Sequence, residues 1–405
     1  MSMKSVLAKE LGRISLSRVD ILEMNKIAKD FIGSLKAQGV KAYVGGSLAK
    51  GTMVDRKGKQ DIDIFVVFDY SEDILGLEKI LGKLELPGEL KKVHGSRDYF
   101  QILCDEVILE VIPVVKNRDP ETAENVTDVS LSHVKYVGGA TKGNPSIADE
   151  IKLAKAFCQA QRCYGAESYI HGFSGYSLEV MVIHFGGFVN FLRNVGKRRV
   201  IDPLKYFKNE KEVLRELNSN KIQGPLVLID PTYKYRNVSA GLGKETFEKF
   251  LKVASEFLRK PSLEYFERRA IDIEGMKTMK GRFVKVELST DRQEGDIAGT
   301  KCKKLLDFFC VELKRKQQNV IAKEFDYDGG KSAEGYLVVV EKPLIEVRGP
   351  SVGLEGPSKA FLKAKGKNAF ERKKFWWFKE KVSVESVFEG VKRVEKEMGA
   401  SINIF

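Results

Sequence analysis

Asp61 and Asp63 open an apolar run, Asp61-Ile62-Asp63-Ile64-Phe65-Val66-Val67-Phe68. In an extended strand alternate side chains share a face, so the two carboxylates point one way and Ile62 and Ile64 the other. Carboxylates this close raise each other's pKa unless a cation sits between them. A hard divalent ion such as Mg²⁺ is held in that way, by one or two carboxylates plus phosphate oxygens. The plain alternative is a strand end with its polar face in water. The Gly45-Gly46-Ser47 turn just upstream argues for chemistry instead. Glu110 is the only charge in Val107-Ile108-Leu109-Glu110-Val111-Ile112-Pro113-Val114-Val115, a strand by its β-branched content. An unpaired carboxylate in such a run costs several kcal/mol, so it needs a partner. If the two strands are neighbours, three carboxylates meet where two metal ions about 4 Å apart could promote in-line attack on phosphorus. Pro113 leaves open an edge strand from which Glu110 faces solvent.

The segment from Gly46 to Thr52 has GxxxxG followed by Thr, without the lysine of a P-loop, and no GxGxxG follows a strand. What remains is a turn whose backbone N–H groups, with the Ser47 hydroxyl and the Lys50 ammonium, could cradle a triphosphate. Leu48 to Lys50 would sit at a helix N-terminus, where anions are favoured. Further along, Lys152, Lys155, Gln159 and Arg162 share one face of a helix from Glu150 to Arg162, with Ile151, Ala154, Phe157 and Cys158 on the buried side. On pattern alone that basic face reads as solvated.

A Gly-Ser turn, Lys50-Gly51-Thr52, Asp61-x-Asp63-Ile-Phe and a strand carboxylate before a proline together resemble the DNA-polymerase-β-like nucleotidyltransferases. His133 in SHVKYV, Tyr164-Gly165-Ala166-Glu167, Gly172-Phe173-Ser174-Gly175-Tyr176, Asp230-Pro231 with Arg236-Asn237-Val238, and Arg348-Gly349-Pro350 narrow the resemblance. It becomes one to the archaeal (class I) CCA-adding enzymes over nearly the whole chain. One departure is that the third carboxylate, usually aspartate in the family, is Glu110 here. The resemblance implies an α+β multidomain fold: a nucleotidyltransferase palm, a mainly helical central domain and an α+β C-terminal RNA-binding domain. It implies addition of the 3′-terminal CCA to tRNA from CTP and ATP, with Mg²⁺ on Asp61, Asp63 and Glu110. A poly(A) polymerase, an oligoadenylate-synthetase-like enzyme and an inactive RNA-binding relative are the alternatives. It assigns Gly46, Ser47, Lys50 and Lys155 to the nucleotide phosphates, and Arg236, oriented by Asp230, to the base. Two readings stand for Tyr164, a hydroxyl on the phosphates or a half-buried aromatic at a helix–loop corner. Two also stand for His133, a nucleotide contact or a satisfied structural histidine. A homodimer is implied by the resemblance alone.

The elements that must position these groups follow from the punctuation. Asp20 is expected to cap a helix with Ile21, Met24, Ile27, Phe31 and Leu35 at helical spacing. Strands near 41–45, 61–68, 98–104 and 107–115, with a helix near 73–84, would make the palm, residues 1–140. The breaker cluster Gly138 to Pro145 is read as the boundary to a helical domain, 141–260, in which Phe173 and Tyr176 pack a core. The stretch from Asp230 to Asn237 is read as a loop leading into a helix. Residues 261–405 would hold strands at 281–289 and 335–341 and a helix near 296–317.

With 405 residues the chain exceeds one ordinary core, and its net charge of +13 suits a polyanionic partner. Between Lys359 and Lys381, nine Lys or Arg face two acids, interleaved with Phe361, Phe370, Phe375, Trp376, Trp377 and Phe378, some of them core. Cations with aromatics suit phosphate contact plus stacking on bases. Lys301, Lys304 and Arg348 are the further candidates for RNA contact. No apolar run is long enough to span a bilayer, and the five cysteines form no CxxC pair, so a cytoplasmic, reduced protein without membrane attachment is expected.

Overall fold

The computed structural model of the chain describes residues 2–405 except 56–57, 96, 117–122 and 124, so Arg56 and Lys57 lie outside the described residues. The chain forms two compact units, residues 1–166 with 170–269, and residues 167–169 with 270–405.

The first unit begins with helices α1 (Met3–Ile14) and α2 (Arg18–Ala37). Ser17, one turn earlier than expected, is the cap of α2. Its hydroxyl accepts from the Asp20 N–H and the Asp20 carboxylate accepts from the Ser17 N–H, both at 3.1 Å. Met24, Ala28, Phe31 and Leu35 are buried on one stripe, which Ile21, 39% exposed, does not join. There follow β1 (Lys41–Val44), α3 (Gly46–Lys50), β2 (Gln60–Phe68), α4 (Leu77–Leu81), β3 (Glu89–Val93), β4 (Tyr99–Leu103) and β5 (Val107–Val115). The strands form one mixed sheet in the order β1-β2-β5-β4-β3. Only β2 and β5 run parallel, with Asp63 opposite Glu110. Ile62, Ile64, Leu109 and Val111 are fully buried in one cluster with the α2 stripe. Period-2 alternation therefore sends Asp61, Asp63 and Glu110 to the opposite face.

β5 is an inner strand, which removes the edge reading of Glu110. Pro113 is tolerated there because β4 pairs with β5 only from Ile108 to Val111, so no ladder partner waits for the missing N–H.

Helix α5 (Ser130–Gly143) runs through Gly138 and Gly139, and the chain breaks only at Asn144-Pro145 before α6 (Ser146–Ala160). Glycine lowers helix propensity without forbidding a helix, and here the packing of Val137 and His133 prevails. Helices α7 (Gly175–Phe185) and α8 (Phe188–Asn194), strand β6 (Val200–Ile201), helix α9 (Glu210–Glu216), strands β7 (Val227–Asp230) and β8 (Tyr233–Asn237), and helix α10 (Lys244–Arg259) complete the unit. Phe157, Phe173, Phe188, Phe191, Phe250 and Phe257 fill its helical core. The expectation of a mainly helical stretch needs one correction, a small sheet in the order β6-β7-β8. The stretch from Asp230 to Asn237 is a hairpin: Pro231-Thr232 is the turn, and Thr232 N donates to Asp230 Oδ1 at 2.8 Å.

The second unit holds α11 (Ile273–Thr278), β9 (Arg282–Ser289), α12 (Asp296–Arg315), β10 (Asn319–Tyr327), β11 (Ser332–Val340), β12 (Leu344–Ser351), α13 (Glu355–Lys365), β13 (Ala369–Arg372), β14 (Phe375–Lys381), α14 (Val384–Lys392), α15 (Glu395–Met398) and β15 (Ser401–Ile404). An antiparallel sheet in the order β10-β11-β9-β15 shares a core with α12 and α14, and β12-β14-β13 forms a second sheet. The fold is α+β and multidomain. No described helix is long and apolar enough to cross a membrane.

Candidate functional site

The polar face of β2 and β5 opens into a cavity of about 250 Å³ lined by Asp61, Asp63, Glu110, Ser47, Lys50, Lys155, Tyr164 and Tyr176. The acidic wall is held by short-range devices. Gly45 N donates to the Asp63 carbonyl at 2.8 Å, which fixes the glycine turn onto β2. Gly46 has φ +54°, and a Cβ there would overlap the Asp63 carboxylate, so only glycine fits. Gln101 on β4, directly opposite Glu110 on β5, donates to Glu110 Oε1 at 2.8 Å and steadies the longer arm. Burial pushes the Asp63 carboxyl up to about 6; Lys50 opposes the rise and Asp61 adds to it.

The opposite wall is cationic. Lys155 lies on α6, is 5% exposed, and is not on a solvated face. Its ammonium donates to Glu179 Oε1 at 2.8 Å, Thr52 Oγ1 at 2.9 Å and the Thr52 carbonyl at 3.3 Å. Lys50, at the end of α3, donates to Glu179 Oε2 at 2.9 Å, with its ammonium 5.6 Å from the Tyr176 ring centroid. Burial alone would raise the Glu179 carboxyl, but Lys155 and Lys50 overcome it and hold it at about 2. The Tyr164 hydroxyl reaches this wall, and a Cβ on Gly175 would meet it at 2.8 Å.

Beside the cavity, Asp230 is fully buried at the end of β7 and gathers four donors and the His133 ring. Oδ1 accepts from Tyr176 Oη at 2.9 Å and from Thr232 N and Oγ1 at 2.8 Å each. Oδ2 lies 3.0 Å from Arg236 Nη1 and 3.2 Å from His133 Nε2. Burial opposes ionisation of Asp230, yet His133 and Arg236 hold its carboxyl down at about 2. Burial lowers the His133 pKa, so the ring is neutral, and it stacks on Tyr176 at 3.8 Å between centroids. Tyr176 is therefore more than core packing: it joins the cavity to this cluster, while Phe173 is fully core.

The structure thus brings ten of the thirteen candidate residues into one unit around the cavity and the adjoining Asp230 cluster. In the second unit Lys304 is exposed and Lys301 half-buried on α12, and exposed Arg348 lies 4.7 Å from the Phe375 ring centroid. Lys365 lies 4.2 Å over Phe378 and Arg372 4.2 Å over Trp377. All six aromatics between Lys359 and Lys381 are half-buried, so none is fully core.

Glu179 and Gln101 bond the cavity residues without having stood out in the sequence, where Thr52 entered only as part of Lys50-Gly51-Thr52. Glu179 carried the signal that marked Glu110, a lone acid in an apolar run. Gln101 carried none.

For a divalent ion, the donors on the acidic wall are all carboxylate oxygens, the set that hard cations take. Among the described residues no three His, Cys, Asp or Glu side chains close on one point as a complete metal cage. The three carboxylates share the cavity without closing it, which fits an ion completed by phosphate oxygens.

Residues 149–267 match the family described as tRNA nucleotidyltransferase, second domain. The chain is 34% identical over 341 residues to the CCA-adding enzyme of Nanoarchaeum equitans (strain Kin4-M), covering 80% of this chain and 82% of the relative. It is 30% identical over 395 residues to the CCA-adding enzyme of Thermococcus kodakarensis, covering 89% of this chain and 77% of the relative. Its fold is similar to that of a solved cytoplasmic RNA terminal U-transferase, with TM-score 0.52 at 13% identity, over 66% of this chain and 98% of the other. An acidic strand face set against a cationic wall, in a chain this similar to those relatives, places it: the chain belongs to the CCA-adding enzymes, the tRNA nucleotidyltransferases.

Proposed function

We propose that the chain builds and repairs the 3′-terminal CCA of tRNA from CTP and ATP without a template, and that the cavity between β2, β5, α6 and α7 is where transfer occurs. One observation carries this reading: the parallel register sets Asp63 beside Glu110, with Asp61 on the same face, opposite Lys50. Asp61, Asp63 and Glu110 would hold Mg²⁺. When bound, Mg²⁺ would make the attacking 3′-hydroxyl more acidic and neutralise charge developing on the phosphates.

The chain's own residues do the rest. Gly46 leaves room for the Asp63 carboxylate. Ser47, Lys50 and Tyr164 present donors to the triphosphate and to the departing pyrophosphate. Arg236, fixed by Asp230, offers a guanidinium fork to a base edge, and neutral His133 stands beside it. In the second unit, Lys301, Lys304, Arg348 and the cation–aromatic pairs of β13 and β14 suit contact with tRNA. A homodimer belongs to the same proposal.

The test uses purified protein with tRNA lacking its CCA end and each labelled nucleotide supplied in turn. CMP incorporation, then AMP, then arrest after three additions is expected. AMP alone in long tracts would point to a poly(A) polymerase, and no incorporation would point to an inactive RNA-binding relative.

A further inference from the structure

Glu179 lies on α7, 1% exposed, with no place in the sequence motifs. Its two oxygens divide the cations: Oε1 takes Lys155 at 2.8 Å and the Thr52 hydroxyl at 2.9 Å, and Oε2 takes Lys50 at 2.9 Å. The lysines differ in what they have left. An ammonium has three N–H donors. Lys155 directs all three into the protein, to Glu179 and to two oxygens of Thr52. Lys50 directs one to Glu179 and lies 11% exposed at the cavity wall. Without a carboxylate between them the two ammonium groups would repel each other. With it, the cluster carries one net positive charge in a geometry set before any ligand arrives.

We propose that Glu179 is the positioning residue of the phosphate grip: bonded to both lysines of the wall, it holds Lys50 against the cavity with N–H groups available to a polyphosphate. This rests on the reading of the cavity as the nucleotide triphosphate site. It adds to that reading a carboxylate that binds both lysines of the cavity wall and fixes where Lys50 presents its ammonium. Pre-organisation of this kind removes the cost of ordering a long side chain at the moment of binding.

The experiment measures KM and kcat for CMP incorporation, and equilibrium binding of inorganic tripolyphosphate, for wild type, Glu179→Gln, Glu179→Asp, Lys50→Ala and the Lys50→Ala/Glu179→Gln pair. Glu179→Gln keeps the shape and removes the charge. It is expected to raise KM for CTP and weaken tripolyphosphate about tenfold or more, with a smaller change in kcat. Glu179→Asp should recover part of the loss, and the double variant should be no weaker than Lys50→Ala alone. A purely structural role would lower the folded, active fraction and leave KM and tripolyphosphate affinity at wild-type values; that result, or tighter binding in Glu179→Gln, overturns the inference. If Lys50→Ala itself binds tripolyphosphate like wild type, the cavity is not the phosphate site, and the site reading falls together with this one.

Discussion

Two carboxylates on one cavity, Asp63 and Glu179, are displaced in opposite directions. Burial is the largest influence on both, and it pushes both up. Asp63 ends at about 6, because Lys50 only partly offsets burial and Asp61 adds repulsion. Glu179 ends at about 2, because Lys155 and Lys50 both bond it directly. The contrast separates a wall whose charge awaits an external cation from a wall whose carboxylate is already paired within the protein. The first pattern belongs to chemistry, the second to scaffolding that sets the chemistry's geometry.

The largest effect that would break this contrast is loss of the acidic wall. Asp63→Ala or Glu110→Ala should lower single-turnover CMP transfer by about a thousandfold or more, with tRNA affinity nearly unchanged in a filter-binding assay. Gly46→Ala forces a methyl group onto the Asp63 carboxylate, and a loss of about a hundredfold in the same assay is expected. On the other wall, Glu179→Ala leaves Lys155 buried without its counter-charge. Denaturant unfolding should show a loss of about 3 kcal/mol.

A smaller effect has the opposite sign. Asp63 has a folded pKa raised above its ordinary value, so its ionisation weakens the fold as pH rises from about 4 through about 6. Asp63→Asn should therefore stabilise the metal-free protein at pH 7 by about 3 kcal/mol, with no charge-derived gain below about pH 4. Glu179 runs the other way. Its contribution is present above its ordinary pKa of 4.5 and is lost as pH falls toward 2. Unfolding measured across pH for the two variants sharpens the comparison directly. The smallest effect is Gln101→Leu, which frees the Glu110 arm and should cost only a few-fold in transfer.

The acidic wall was legible in the sequence because it is local. Asp61, Asp63 and Glu110 sit in strands whose alternation and β-branched content declare themselves within nine residues each. The cationic wall was legible only in part: Lys50 was read in its glycine turn and Lys155 through the resemblance, but the Glu179 bonds that join them span 129, 127 and 24 residues. A lysine on an amphipathic helix reads as solvated until α7 delivers a carboxylate to it. Elsewhere local signals competed and tertiary packing decided. The glycines from Gly138 to Gly143 look like a break, yet α5 continues through them. The Asp230-Pro231-Thr232 turn chemistry was visible, but the pairing of β7 with β8 depends on Val227, Leu228 and Ile229 being buried as strand residues. At α2, Ser17 and Asp20 both look like caps, and the box they form uses the first as cap and the second as its reciprocal partner.

Equilibrium binding of CTP with and without Mg²⁺, in wild type and in Asp61→Ala/Asp63→Ala, tests most directly whether the acidic strand face is where a divalent cation meets the nucleotide. Mg²⁺ should tighten CTP binding in the wild type and have no effect in the double variant, whose Mg²⁺-free affinity should match or exceed that of the wild type. An undiminished Mg²⁺ effect in the variant would contradict the account.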